Sequence, residues 1–382
     1  MSAPERVSGR SDAVSDPLER TFDAYRRPDR SVGIRNNVLV APSVICSHIV
    51  AERIADRSDG AISTPHDHGC GQIGADHEQT ERTLLHLARN PNVAGATVVG
   101  LGCEHLQSGP FAERIGESGV PVRETAIQDA GGSDPCIEEG IAATRELIAE
   151  AESAATTDAT LGDLTVGVVS SDLRASTRAV ADPLVGETVD ALLDAGARVA
   201  VAGTERLAPH ADSAVERAGS AETADGLRDA TVRTGQPGNA RGVVRRAADV
   251  PFEEVVGTWG EASVAEVVGY GERPTVDEGL VVVESPSRFE EAATALAAAG
   301  ASLVIHVTAE GVPTGHPVVP VLKVTGDATT ADVLAEDMDV NARSATPTDL
   351  LSMLSEAAEG GATATERHGL TKFAINRIGP SL

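Results

Sequence analysis

The feature that most constrains the fold is a regular exchange of short apolar runs and helical patterns along the chain. Runs at 38–45, 96–101 and 122–127 are long enough for buried strands and too short for helices. Stretches 47–56, 76–89 and 138–151 carry apolar residues at helical spacing. A second series has strands at 166–169, 199–202, 280–283 and 303–307, with helices at 184–195 and 289–299. This alternation predicts an α/β fold: two units with mainly parallel sheets flanked by helices, the second Rossmann-like. Only 2% of residues are aromatic although 41% are hydrophobic, so Val, Leu, Ile and Ala must fill the cores. The 382 residues suit two domains, expected at 21–151 and 164–382. Residues 1–20 read as a mobile lead-in, and 152–163, without apolar periodicity, as a linker.

Charge narrows the function classes. There are 58 acidic residues against 31 Lys plus Arg, a net charge of -27, and the only lysines are Lys323 and Lys372. A dispersed acidic surface nearly free of lysine suits a soluble protein of a salt-rich cytoplasm. It argues against nucleic acid, whose phosphates need a basic face. No run approaches the length of a membrane span, and the polar first residues resemble neither a signal peptide nor an anchor. The expected location is cytoplasmic.

Four cysteines in so long a chain are no disulfide scaffold. Cys46 and Cys103 each follow an apolar run, which in an open α/β sheet places them over the ligand crevice. Cys46 also begins a helical stretch, where a thiol is expected to ionise more readily. Cys70 closes His66-Asp67-His68-Gly69-Cys70 among glycines that permit a tight turn. Cys46, His66, Cys70, Cys103 and Glu104 are therefore candidate ligands for an ion held between separate loops. Cys136 reads as a small buried hydrophobe, and His48, His77 and His86 as surface or packing residues. Dinucleotide, Walker and serine-elbow motifs are absent from the sequence.

Arg35-Asn36-Asn37, the segment 43–47, the segment 66–71, Asn90-Pro91-Asn92 and Gly102-Cys103-Glu104 occur in the order of a known family. Ile127-Gln128, Pro320-Val321-Leu322-Lys323 and the segment 337–342 continue the pattern. The chain resembles the altronate/galactarate dehydratases, related to the sulfolactate sulfo-lyase large subunit. The resemblance implies a lyase that eliminates water β to the carboxylate of a sugar acid, yielding a 2-keto-3-deoxy acid. The implied cofactor is divalent iron or manganese; three thiolates would equally suit an iron–sulfur cluster with an open iron. His66 and Lys323 are the expected proton-transfer residues, and Arg35, Asn36, Ser47, Gln128 and Asn341 the expected substrate contacts. The chain also looks like a large-subunit form without the family's small β-rich N-terminal domain. A companion subunit of that kind and an oligomer, homomeric or heteromeric, are expected.

The second half departs from the pattern. Where the family has Cys-Gly-Gly-Ser-Asp, this chain has Ser170-Ser171-Asp172-Leu173-Arg174. Glu-Lys-Ser-Leu-Gly becomes Glu253-Glu254-Val255-Val256-Gly257, and Thr-Thr-Gly-Arg-Gly becomes Val307-Thr308-Ala309-Glu310-Gly311. Two alternatives follow: a sulfo-lyase in which Arg174 meets a sulfonate, and a non-catalytic paralogue that binds a sugar acid or a partner subunit. Lys323 persists where lysine is nearly purged, consistent with a role arginine cannot fill.

Overall fold

The computed structural model describes residues 16–234 and 241–378. Residues 1–15 of the expected lead-in lie outside the described residues.

Fourteen strands are described: β1 (Phe22–Arg26), β2 (Val32–Gly33), β3 (Asn37–Pro42), β4 (Ala61–Ser63), β5 (Val93–Gly100), β6 (Val122–Ala126) and β7 (Thr157–Ala159), then β8 (Thr165–Ser170), β9 (Arg198–Val201), β10 (Val264–Val268), β11 (Gly279–Val283), β12 (Leu303–Val307), β13 (Val321–Thr325) and β14 (Val340–Asn341). Eleven of them form two parallel sheets flanked by helices, and β2, β1 and β7 form a small antiparallel sheet, a mixed α/β architecture.

The first sheet runs β4-β3-β5-β6. The chain leaves β3 toward β4, then returns to the other side of β3 as β5, so the winding reverses between β3 and β5. The second sheet runs β10-β11-β9-β8-β12-β13-β14, and its winding reverses between β8 and β12. Such reversals splay the loops at the strand carboxyl ends and leave a crevice there. The second sheet is doubly wound like a Rossmann sheet, but its order differs: β11 is inserted between β9 and β10.

The stretch 152–163, read from sequence as a linker, holds β7 and a turn over Leu161–Asp163 capped reciprocally by Thr160 and Asp163. β7 pairs antiparallel with β1, and Ala159 and Leu161 are buried. The strand is short and largely polar, so alternation could not reveal it.

One apolar cluster joins the sheets: Leu39 and Val98 of the first share it with Val169, Val281 and Val304 of the second. The helix Phe289–Ala298 lies within this cluster, with its five alanines fully buried. Alanine suits a helix packed on several sides, because nearly all its surface can be covered without crowding. Among the described residues no helix is long and apolar enough to cross a membrane.

Candidate active site

The first sheet's reversal gathers the thiols. Cys46 lies in a single turn, Ile45–Ser47, between β3 and the helix His48–Asp56. The buried Ser47 hydroxyl donates to the Val99 carbonyl at 2.7 Å, fastening this turn to β5. The Ile45 N–H donates to the His68 carbonyl at 2.8 Å and brings up the loop that carries Cys70. Gly69 has φ +98°, and a Cβ there would lie 3.0 Å from the Ser43 carbonyl oxygen. The glycine before Cys70 therefore answers both backbone strain and a close approach.

Glu104 shapes the loop of Cys103. Its buried carboxylate accepts the Leu101 N–H at 3.1 Å, the Gly102 N–H at 2.6 Å and the Ser43 hydroxyl at 3.0 Å. Gly102 has φ +114°, and a Cβ on it would come within 2.9 Å of Oε1 of the exposed Gln128. Gln128 thus lies over the Cys103 loop, while Glu104 has its oxygens engaged in holding that loop.

Cys46, Cys70 and Cys103 are free and exposed. Partial desolvation, contact with the Cys70 thiol and the nearness of Cys103 and Glu104 push the Cys46 thiol above its ordinary pKa. This reverses the expectation of a thiol activated by a helix terminus, because desolvation and then crowding by other acidic groups outweigh that effect. Among the described residues no group of three or more His, Cys, Asp or Glu side chains is set to hold a metal ion. Three accessible thiols, unpaired by disulfides, nevertheless come from three loops to one end of the sheet, soft donors of the kind that hold transition metals. Cys136 is buried, with its pKa raised by burial.

A cleft of about 950 Å³ is lined by His48 and His68, each two residues from a thiol, but by none of the three cysteines. His48, His66, Asp67 and His68 line it from the first unit; Ser171, Ser287, Phe289 and Lys372 are among those from the second. His66 is buried, donates from Nε2 to the Pro42 carbonyl at 2.9 Å and accepts the His68 N–H on Nδ1 at 3.2 Å. Burial lowers its pKa to about 4, so it is neutral. Each cation of the cleft has a carboxylate partner: Lys372 with Glu290 at 3.2 Å, Arg288 with Glu291 at 3.3 Å, Arg377 with Asp67 at 2.8 Å.

Lys323 is fully buried on β13, with Nζ 2.7 Å from His306 Nδ1 and 3.8 Å from the centre of the Phe289 ring. Desolvation lowers its pKa to about 7, with Asp339 and Glu290 opposing the fall. His306 and Ser171 were not singled out from sequence. The histidine's place in an apolar run suggests core packing, and the serine lies in a loop that departs from the family pattern.

Other expected contacts lie elsewhere. Arg35 precedes β3, at the end of the strand away from the thiols. Its guanidinium donates to Glu366 at 2.9 and 3.1 Å and to the carbonyls of Ile34, Ala357 and Gly361. Asn36 donates to the Ala151 carbonyl and accepts from Arg27. Asn341 ends β14 at the sheet edge, its side chain capping the Arg343 N–H. Arg174 is exposed and paired with Glu310 at 2.7 Å.

Residues 24–152 match the model for the second domain of D-galactarate dehydratase/altronate hydrolase, and residues 255–381 match the model for the C-terminal part of D-galactarate/altronate dehydratase. The chain belongs to the altronate/galactarate dehydratase family. Altronate dehydratase of Bacillus subtilis is 25% identical over 396 residues, covering 95% of this chain and 79% of that protein. The (2R)-sulfolactate sulfo-lyase subunit beta of Chromohalobacter salexigens is 27% identical over 384 residues, covering 94% and 98%. Galactarate dehydratase (L-threo-forming) of Escherichia coli is 27% identical over 361 residues, covering 85% and 69%. Within this family of sugar-acid dehydratases, the thiol loops fall in the first matched stretch. The loop 170–174 falls between the two.

Proposed function

We propose that the chain is a hydro-lyase that eliminates water from a sugar acid to give a 2-keto-3-deoxy acid. The observation that carries this is the grouping of three free thiols on loops whose neighbouring residues His48, His66 and His68 line a cleft shared with the second unit. Cys46, Cys70 and Cys103 would hold iron. When bound, iron with an open position supplies Lewis acidity for a substrate oxygen. Three thiols ligating separate irons of a cluster need not meet at one point, whereas ligands of a single ion must. Cys46 and Cys70, whose thiols touch, could serve either arrangement.

The chain's own groups bind and orient. A substrate carboxylate entering the cleft can replace Glu290 on Lys372 or Asp67 on Arg377, exchanging one charge-assisted contact for another. His66 is neutral in the wall, as a proton acceptor must be. To take the substrate's α-proton its Nδ1 must first release the His68 N–H.

A second reading is sulfite elimination from sulfolactate, favoured by the nearly end-to-end match to a sulfo-lyase subunit. That relative's designation as a subunit supports a small companion for this chain. The test is anaerobic turnover, with iron, of aldonates, aldarates and sulfolactate. A 2-oxo acid without sulfite supports the hydro-lyase; sulfite release from sulfolactate alone replaces it with the second reading.

A further inference from the structure

A row of polar side chains runs from the core to the cleft across three adjacent strands, β13, β12 and β8. Lys323 and His306 are register partners, and both are fully buried. The Lys323 ammonium donates to His306 Nδ1 at 2.7 Å and to the Thr314 carbonyl, and it stands over the Phe289 ring. An ammonium has three N–H donors and no acceptor, so these partners use all it has. Phe289 also stacks on the His306 ring at 4.1 Å and fixes its plane.

This arrangement sets the direction of the hydrogen bonds. With Nδ1 accepting from Lys323, the proton of neutral His306 sits on Nε2, which faces the Ser171 hydroxyl in a short contact. The Ser171 oxygen accepts that proton's hydrogen bond, so its own hydrogen is free for the cleft. The Ser171 backbone N–H donates to the Val307 carbonyl at 2.9 Å, and the residue lines the cleft wall. The polarity is opposite to that of a hydrolase triad, in which histidine withdraws the serine proton.

We propose that Lys323, His306 and Ser171 form a proton relay that makes the Ser171 hydroxyl the acid for the leaving group in the cleft. The inference rests on the elimination reading above. The substrate's C–O bond breaks, and its oxygen takes the Ser171 proton to leave as water. Ser171 takes the Nε2 proton of His306, and His306 Nδ1 takes a proton from Lys323. The electron pair of the broken Cα–H bond becomes the new C=C bond, and the α-proton goes to the base. The base then releases the α-proton to water, and solvent returns one proton through Ser171 and His306 to Lys323, so the row resets with no net change in protons. Ser171 is the catalytic residue; His306 and Lys323 act through it. Lys323 also feels Asp339, which caps its backbone N–H at 2.8 Å, and Glu290 on the helix that carries Phe289. With its pKa brought to about 7, the lysine can release a proton near neutrality.

Two measurements on the full chain test this. In protein labelled with 15N-histidine, His306 should show a bare Nδ1 and a protonated Nε2 at pH 6.5, and Lys323→Met should abolish that fixed preference. On any acid the parent protein turns over, Ser171→Ala should lower kcat by about 10²- to 10³-fold with little change in KM, while Ser171→Thr retains much of the rate. A protonated Nδ1 overturns the relay whatever the turnover. An unchanged kcat in Ser171→Ala overturns the serine's role. If the parent protein turns over none of the acids, the elimination reading falls, and with it the leaving-group step. The tautomer still decides whether the relay exists.

Discussion

Replacing Lys323 by Met should change how the stability of this protein depends on pH. The lysine is completely buried, and burial brings its pKa from 10.5 to about 7 in the folded chain. At about 1.36 kcal/mol per pKa unit, that fall of roughly 3.5 corresponds to about 5 kcal/mol of linked free energy. Between pH 7 and 10.5 the unfolded chain binds this proton more tightly than the folded one, so rising pH favours folding. The contribution is complete above the unfolded pKa and is lost as pH falls through about 7. From pH 7 to pH 9 the native protein should gain about 2 kcal/mol relative to Lys323→Met, which has nothing to titrate at this position. Urea unfolding of both proteins across that range isolates the difference, because the other groups titrate alike. A constant difference would refute a buried lysine titrating near neutrality.

Three other outcomes follow. Cys70→Ser, at an exposed site, should leave the unfolding midpoint unchanged while iron retained after anaerobic reconstitution falls, measured by elemental analysis. Arg35→Ala should cost about 2–4 kcal/mol of stability, because it removes charge-assisted hydrogen bonds to Glu366 and to three backbone carbonyls, yet leave KM unchanged in steady-state assays. With a net charge of -27, the urea midpoint should rise steadily as KCl increases from about 0.1 M to about 3 M.

Much of the framework is legible in the sequence because buried parallel strands are continuous apolar runs. The run at 303–307 is β12, and the helical pattern at 76–89 is shifted by one residue from the helix Ala75–Ala88. The run at 38–45 overshoots β3, which ends at Pro42, because Val44 and Ile45 are recruited into the turn that presents Cys46. β1 and β7 escape notice: the pair is short, and its partners lie more than 130 residues apart. Among the candidate site residues, Cys46 and Cys103 stand out by following apolar runs and Cys70 by its flanking glycines. His306 does not, since one polar residue inside such a run carries no sign of what faces it. Nor could sequence show that Arg35 has a carboxylate partner 331 residues away.

The most direct test of the account is turnover before and after removal of iron. Anaerobically reconstituted protein should convert at least one aldonate or aldarate to a 2-oxo acid, lose that activity on chelation and regain it with ferrous iron. It should also hold iron in proportion to intact Cys46, Cys70 and Cys103. Turnover that survives complete removal of iron, or iron content indifferent to loss of all three thiols, would contradict it.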